Sequence, residues 1–288
     1  MVTLCIQTNN TNFINFIEKE FVKSSESKYF KYSIDSKNSI KSIDVYYNLN
    51  KNYESFYDLL AKILSSLVVK YFQFNIIKNI IDIDYFYFSE YEKKIIIDEY
   101  KLINQNIDKN DKKNLKIDLI FNYIKEFIKN NNVINLEGFV NFRLYNYRSY
   151  LESQIEKAVN QYVIDKEYLK FVDLLRDYVD SKIPENNVVN LIYINSNGIL
   201  LSENEEVINL KKFEKSNVYM SDISFSNNDF VLNTLIELLP ARINLHLLSL
   251  EDQFIKTIKL IFGSRVHCCI KNCKICEDFK NKKIKENK

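Results

Sequence analysis

Glycine and proline are scarce in this 288-residue chain and are confined to one part of it. All three Gly, both Pro and all five Arg residues lie beyond residue 137. Gly and Pro mark special backbone torsions, and Arg is a rigid bidentate donor in a chain where Lys is the default cation. The second half is therefore expected to be the more geometrically constrained one. With three isolated Gly residues, the glycine-rich loops that bind nucleotide phosphates cannot occur.

Composition and charge narrow the class of protein further. Hydrophobic residues make up 46% of the chain and charged residues 27%, so a core of ordinary size is expected. The formal net charge of +2 gives no general attraction to nucleic acid or to an anionic membrane. Nucleic acid is therefore a disfavoured partner, and an unknown protein is the expected one.

The chain shows no targeting or membrane signal by sequence. Residues 1–8 lack the basic start and the long apolar stretch of a signal peptide. The best apolar run, Ile63 to Val69, lies between Lys62 and Lys70 and is too short to span a bilayer. We therefore expect a cytoplasmic protein without membrane insertion.

The spacing of apolar residues predicts an α/β fold with more helix than strand. A strand at Val2–Gln7, a helix around 12–23 and a strand at Ile43–Leu49 indicate an N-terminal β-α-β arrangement. Several helices follow, and two apolar stripes within residues 136–180 are expected to bury against neighbouring elements. The first stripe comprises Tyr147, Leu151, Ile155, Ala158, Val159 and Tyr162, and the second Tyr168, Phe171, Val172, Leu175, Tyr178 and Val179.

After Pro184 the pattern changes to strands. Alternating apolar residues flank Asn195-Ser196-Asn197-Gly198, where Asn-Gly readily adopts positive φ, so the segment predicts a β-hairpin; a β-α-β crossover follows up to residue 269. The predicted N- and C-terminal strands are compatible with a single shared sheet. The predicted organisation is an N-terminal α/β portion (1–81), a central helical portion (82–183), a C-terminal α/β portion (184–276) and a disordered lysine-rich tail (277–288).

Cysteine placement gives the one chemical constellation in the sequence. Four of the five Cys residues lie within nine positions, which excludes a disulfide framework spread along the chain. Cys273 and Cys276 form a C-x-x-C turn that can direct two thiolates at one metal, and Cys269 adds a third thiol. Cys268 and His267 are candidates for the fourth ligand, as are a distant His246 and a second chain.

The Cys cluster also has interpretations without zinc. The C-x3-C-x2-C spacing matches the cluster motif of radical-SAM enzymes, but that motif precedes a long barrel, and here only twelve residues follow Cys276. A redox pair normally opens a helix in a thioredoxin-like core. Free or structural thiols are the plainest interpretation of so short a motif. We therefore expect no cofactor, with zinc or an Fe–S cluster as the alternative.

Two further features carry weaker functional interpretations. The segment from Phe139 to Arg148 interleaves aromatic residues with Arg143, a pattern that can stack on bases and pair with phosphates. The favoured interpretation is a helix whose aromatic residues enter the core and whose Arg residues pair with nearby acids. His246 lies in an apolar strand, where a half-buried structural His is the common case. The sequence shows no catalytic residue set.

The second half of the chain resembles the YtxC-like family, which is associated with sporulation in endospore-forming bacteria. The resemblance covers roughly residues 136–276, and it closes on the pair Cys273 and Cys276. The matching residues are Gly138, Phe139, Val140, Phe142, Arg143, Leu144, Tyr147, Glu167, Tyr168, Phe171, Leu174, Leu175, Arg176, Val179, Leu235, Pro240, Ile243, His246, Ile258, Phe262 and Val266. The family implies a role around spore formation but no reaction. We therefore expect a non-enzymatic interaction or regulatory protein.

Overall fold

The computed structural model describes residues 2–24, 30–35, 40–47, 53–105, 111–210, 226–270 and 273–279. Chain contacts divide the protein into two compact units, Met1–Ile164 and Asp165–Lys288. The fold is a helix-rich α/β fold, as the sequence predicts, and the described strands lie in two small mixed sheets. The strands form two separate four-stranded sheets, so the single shared sheet considered above is wrong.

The N-terminal unit is built on a sheet with the strand order β2 (Phe30–Asp35), β3 (Lys41–Tyr47), β1 (Val2–Thr8) and β4 (Val133–Asn135). β1 pairs antiparallel with β3 and parallel with the short edge strand β4. Side chains that alternate along β1 and β3, such as Leu4, Ile6, Ile43 and Val45, are buried. The elements are β1 (Val2–Thr8), α1 (Thr11–Lys23), β2 (Phe30–Asp35), β3 (Lys41–Tyr47), α2 (Tyr53–Leu67), a π-helical turn (Val68–Phe72), α3 (Gln73–Asp84), α4 (Glu90–Gln105), α5 (Asp111–Asn130), β4 (Val133–Asn135) and α6 (Leu136–Arg143).

The helices of this unit share one core with its sheet. Leu64 from α2, Ile80 from α3, Ile96 from α4 and Ile124 from α5 belong to the same buried cluster as the strand residues. The division at Ile164 therefore differs from the predicted one, which assigned the helices after residue 81 to a separate portion. Periodicity identifies which residues are buried but does not identify the element that covers them.

One helical stretch passes a length and composition test for crossing a membrane. The stretch runs from Glu54 to Asp84. Its apolar side chains, including Leu60, Leu64 and Ile77, are buried in the core of the N-terminal unit. A buried helix of a globular core passes the same test, so this stretch is weak evidence for a membrane span.

A single helix, α7 (Tyr145–Ser181), supplies residues to both units. The sequence contains neither Gly nor Pro between these bounds, so no residue interrupts the backbone hydrogen bonds. The first stripe is buried, as Leu151 and Ile155 show. The second stripe is only partly buried. Val172 and Val179 lie in the core, whereas Phe171 and Tyr178 are exposed, contrary to the expectation from spacing.

The C-terminal unit has a sheet with strand order β6-β5-β7-β8. The β5–β6 hairpin forms as predicted, but the turn residues with positive φ are Asn195 and Ser196 and not Asn197-Gly198. Gly198 lies against Val231, and a Cβ there would approach a Val231 methyl to 3.2 Å. The elements are β5 (Glu185–Ile194), β6 (Asn197–Leu201), α8 (Asn227–Leu238), β7 (Pro240–Leu247), α9 (Gln253–Phe262), a 3-10 turn (Gly263–Arg265) and β8 (Val266–Cys268).

The chain continues beyond β8 into a short C-terminal helix, residues 274–279. Residues 277–279, predicted to begin a disordered tail, are therefore helical. The rest of the predicted tail, 280–288, lies outside the described residues. β7 pairs in parallel with both β5 and β8, and the connection from β7 to β8 is a crossover through α9. This arrangement brings the carboxyl ends of β7 and β8 together.

Candidate metal centre

Four side chains that can ligate a metal converge at the carboxyl ends of β7 and β8. His246, Cys269, Cys273 and Cys276 each offer one ligand atom, and these atoms all lie within 4.8 Å of one another. The group is internal, because His246 and Cys276 are buried and the other two cysteines are partly buried. Three thiols and one imidazole are the ligand types that Zn²⁺ prefers in closed protein sites.

Strand register brings His246 and Cys269 together. Leu245 of β7 lies opposite Cys268 of β8. The residues that follow this pair, His246 after Leu245 and Cys269 after Cys268, are therefore neighbours. The backbone N–H of Cys269 donates a hydrogen bond to the Leu245 carbonyl at 2.8 Å, which extends the ladder by one residue. The imidazole and the first thiol are therefore fixed by the sheet itself.

The C-terminal helix and the residue before it supply the other two thiols. Cys273 precedes this helix and Cys276 lies in its first turn. The backbone N–H of Cys276 donates to the Cys273 sulfur at 3.4 Å. In a C-x-x-C turn, such N–H groups orient the first sulfur and favour its thiolate form. Both sulfurs lie beside His246, with Nδ1 distances of 3.3 Å to Cys273 and 3.4 Å to Cys276.

Hydrogen bonds to Asn190 fix the tautomer of His246. The Asn190 Oδ1 atom accepts from Asn244 Nδ2 at 3.0 Å, and Asn190 Nδ2 donates to the Ser202 carbonyl at 3.2 Å. The His246 Nε2 atom lies 3.4 Å from the same Oδ1 acceptor, so Nε2 must carry the proton. The lone pair of the imidazole is then on Nδ1, the atom that faces the sulfurs. Metal-binding histidines are held by the same kind of partner.

The distances suit one metal ion better than hydrogen bonds among thiols. At tetrahedral angles, Zn–S bonds of about 2.3 Å and Zn–N bonds of about 2.1 Å separate two sulfurs by about 3.8 Å and nitrogen from sulfur by about 3.6 Å. The Cys269 and Cys276 sulfurs lie 3.9 Å apart. The single Nδ1 lone pair can accept a hydrogen bond from only one thiol, yet two sulfurs lie within 3.4 Å of it.

Burial and hydrogen bonds shift the pKa values of the ligand residues in different directions. Burial, together with its hydrogen bonds to Cys273 and Cys269, raises the pKa of Cys276 to about 12. Burial alone would raise the pKa of Cys273, but hydrogen bonds from the Cys276 backbone and from neighbouring thiols lower it below its usual value. Burial also lowers the pKa of His246, which keeps the imidazole neutral and able to ligate. A cation would stabilise all three thiolates together.

The other candidate ligands lie outside this group. His267 and Cys268 are exposed on β8 and do not contribute to the four converging atoms. The imidazole of His246 takes the fourth place instead of either of them. Cys5 lies on β1 of the N-terminal unit, where burial and Asp44 raise its pKa to about 11. All five cysteines are free of disulfide bonds.

The predicted nucleic-acid residues make contacts within the N-terminal unit. Arg148 donates to Glu152 at 3.0 Å, an ion pair of the kind that the favoured interpretation expects. The Arg143 guanidinium lies over the Phe127 ring, 5.2 Å from its centroid. Phe139 enters the core but Phe142 is 85% exposed, so only part of this segment follows the predicted burial.

Comparison with known proteins identifies the family. The YtxC-like family model matches residues 58–267, which is well over half of the chain. The chain belongs to the YtxC-like family. A curated relative, the "Uncharacterized protein YtxC" of Bacillus subtilis (strain 168), is 29% identical over 135 residues, which is 46% of this chain and 47% of that protein. The match therefore spans about half the length of that relative. No solved structure matches the chain.

The family match includes some residues of the candidate site and not others. Asn190 and His246 lie inside the matched range, whereas Cys269, Cys273 and Cys276 follow its last residue. The YtxC-like match also begins at residue 58, earlier than the resemblance at 136–276 indicates. Asn190 is not among the site residues predicted from the sequence. The sequence indicates Asn190 only by its amide side chain among the apolar residues of β5. A polar group buried in such a strand requires a hydrogen-bond partner.

Proposed function

We propose that this YtxC-like protein binds one zinc ion through His246 Nδ1 and the thiolates of Cys269, Cys273 and Cys276. The convergence of the four ligand atoms within 4.8 Å is the observation that carries the proposal. The fixed tautomer of His246 supports it, because Asn190 directs the lone pair toward the sulfurs. Four protein ligands leave no open position for water or substrate, which is the arrangement of a structural site.

The ion would attach the C-terminal helix to the sheet. His246 lies near the end of β7 and Cys269 directly follows β8, whereas Cys273 directly precedes the helix at residues 274–279 and Cys276 lies in its first turn. A cation shared by these ligands connects an edge strand with a segment that contributes few other buried side chains. Such a site adds its binding energy to folding and takes no part in chemistry.

An Fe–S cluster is the second candidate for this ligand set. Clusters are held by Cys thiolates on separate iron atoms, so their protein ligands lie farther apart than ligands of a single ion. The spacing of 3.9 Å between the Cys269 and Cys276 sulfurs favours a single ion. Zinc is therefore preferred over a cluster on geometry.

Elemental analysis tests the zinc proposal. The untagged full-length protein is purified in parallel with and without oxygen, and zinc and iron are measured per chain. We expect one zinc per chain in both preparations, and less than about a tenth of that after the double change Cys273→Ser and Cys276→Ser. The matched control is Cys268→Ser, which removes an exposed thiol next to the site and should keep the zinc. Iron with visible absorbance, or protein without metal, would exclude a zinc site.

We further propose that the protein acts in the cytoplasm as a non-enzymatic interaction or regulatory protein during sporulation. Membership of the YtxC-like family supports this role through the resemblance described above, and the closed ligand set agrees with a structural use of metal. In an endospore-forming bacterium carrying this gene, deletion should lower the yield of heat-resistant spores. Complementation with the Cys268→Ser allele should restore it, whereas a normal yield after deletion would contradict the role.

A further inference from the structure

The carboxyl-terminal half of α7 has an apolar stripe that the described residues of the C-terminal unit leave exposed. Tyr168, Val172, Leu175 and Val179 form the side that packs into the core of this unit. The neighbouring side presents a second set of large apolar side chains. These are Phe171, Leu174 and Tyr178, which are 54%, 68% and 46% exposed.

The spacing of the exposed stripe is that of a helix-pairing seam. Phe171 and Leu174 are three residues apart, and Leu174 and Tyr178 are four apart. Alternating steps of three and four place side chains along one line of a helix, as at the a and d positions of a coiled coil. Soluble proteins rarely expose contiguous large apolar side chains without a use for them. The stripe therefore has the form of a docking surface for another helix.

The charged residues on one flank of the stripe are complementary to those of a second copy when the two helices run antiparallel. Lys170 and Asp177, both exposed, each precede a stripe residue and lie seven positions apart on the same flank. An antiparallel pair with its two-fold axis at Leu174 sets Lys170 of each copy beside Asp177 of the other. In a parallel pair, Lys170 and Asp177 of one copy would instead face the other flank of the second helix. That flank carries Leu175, which packs against the core of its own C-terminal unit. The arrangement is self-complementary only in the antiparallel sense.

The geometry points to a homodimer in which the α7 stripes of two copies pair antiparallel. Leu174 of each copy lies at the two-fold axis, and Phe171 of one copy packs on Tyr178 of the second copy. Two Lys170–Asp177 pairs, one on each side of the axis, set the direction. The ion pair between Arg176 and Asp173, at 2.8 Å, belongs to the polar side of the helix and leaves the stripe unchanged.

Sedimentation velocity on the full-length metal-loaded protein tests the dimer between about 1 and about 100 µM, the range of moderate affinities. The wild type should pass from monomer to dimer within it. Leu174→Glu should weaken dimerisation at least about tenfold, because it places two like charges at an apolar axis. The matched control is Leu169→Glu. Leu169 is 53% exposed on the opposite side of α7 and its change should leave the dimer intact.

A charge exchange tests the direction of pairing independently. Lys170→Glu alone and Asp177→Lys alone each create like charges across the axis, and each should weaken self-association roughly threefold to tenfold. An equimolar mixture of these two variants should dimerise as strongly as the wild type, because opposite charges then meet. A wild type that remains monomeric, a dimer unaffected by Leu174→Glu, or a mixture no stronger than its components would overturn the proposal.

Discussion

Each described sheet of this protein ends in a three-residue parallel edge strand, and we propose that different chemistry holds each of the two edges. In the N-terminal unit, β4 leads directly into α6, where the Glu137 carboxylate accepts a hydrogen bond from the Thr8 hydroxyl at 2.6 Å and another from the Asn9 N–H at 3.0 Å. Asn135 caps the same helix through the Gly138 N–H at 2.8 Å. Hydrogen bonds and buried apolar residues are sufficient to hold this edge.

In the C-terminal unit, β8 leads into a segment with few buried side chains and three converging thiols. Among the described residues after β8, Ile270 is 89% exposed, whereas Cys276 is buried. A segment with so little apolar burial cannot offset its loss of conformational entropy. If the proposed zinc ion binds, edge strands of the same length are held by a capped helix in the N-terminal unit and by a metal ion in the C-terminal unit. Each of the following predictions tests that difference.

Loss of a buried ligand should have the largest effect. Cys276→Ser removes one of four ligands and should lower the free energy of unfolding of the C-terminal unit by about 4 kcal/mol or more, the range associated with loss of a metal. The urea midpoint, followed by circular dichroism, measures the change. Cys268→Ser is the control and should change stability by less than about 0.5 kcal/mol. Equal effects of the two changes would show that the thiols do not act through a shared ion.

Loss of the hydrogen bond that orients His246 should have an intermediate effect. Asn190→Ala leaves the four ligands in place but frees the imidazole to take either tautomer. Zinc affinity, measured by competition with a chromophoric chelator, should fall about tenfold to about a hundredfold, as for other partners of metal-binding histidines. Unchanged affinity would mean that Asn190 serves the packing of β5 and not the metal.

Loss of the Thr8–Glu137 hydrogen bond in the N-terminal unit should have a smaller effect on stability than Cys276→Ser and should not depend on metal. Thr8→Val removes the hydroxyl that donates to Glu137 but keeps the shape of the side chain. The free energy of unfolding should fall by about 1.5–3 kcal/mol, the usual contribution of a hydrogen bond to a charged group. The fall should be the same with and without a zinc chelator. A chelator-dependent effect would contradict the assignment of separate chemistry to the two edges.

Local patterns made part of this architecture predictable. Helix-rich α/β composition, the β5–β6 hairpin and the crossover before the Cys cluster all follow from periods and turn residues in neighbouring positions. The close spacing of Cys269, Cys273 and Cys276 likewise draws attention to a metal because one turn can hold two ligands. These features depend on residues that are near each other in the chain.

Pairings between distant residues could not be predicted. His246, and not Cys268 or His267, converges with the three thiols because of the register between β7 and β8. The sequence alone does not show this register. The exposure of Phe171 and Tyr178 has the same origin, since helical spacing shows which residues share a face and not what covers that face. The separation into two sheets is also a matter of long-range pairing.

Hydrogen–deuterium exchange on the full-length protein, with and without a strong zinc chelator, tests the central claim most directly. Exchange rates are compared for the amides of β8 and residues 273–279 and for those of β4. We predict that the chelator accelerates exchange at the first group by at least about a hundredfold, because the ion supplies most of the local stability there, and leaves β4 unchanged. Equal protection of β8 with and without the chelator would contradict the claim that a metal ion fastens this edge.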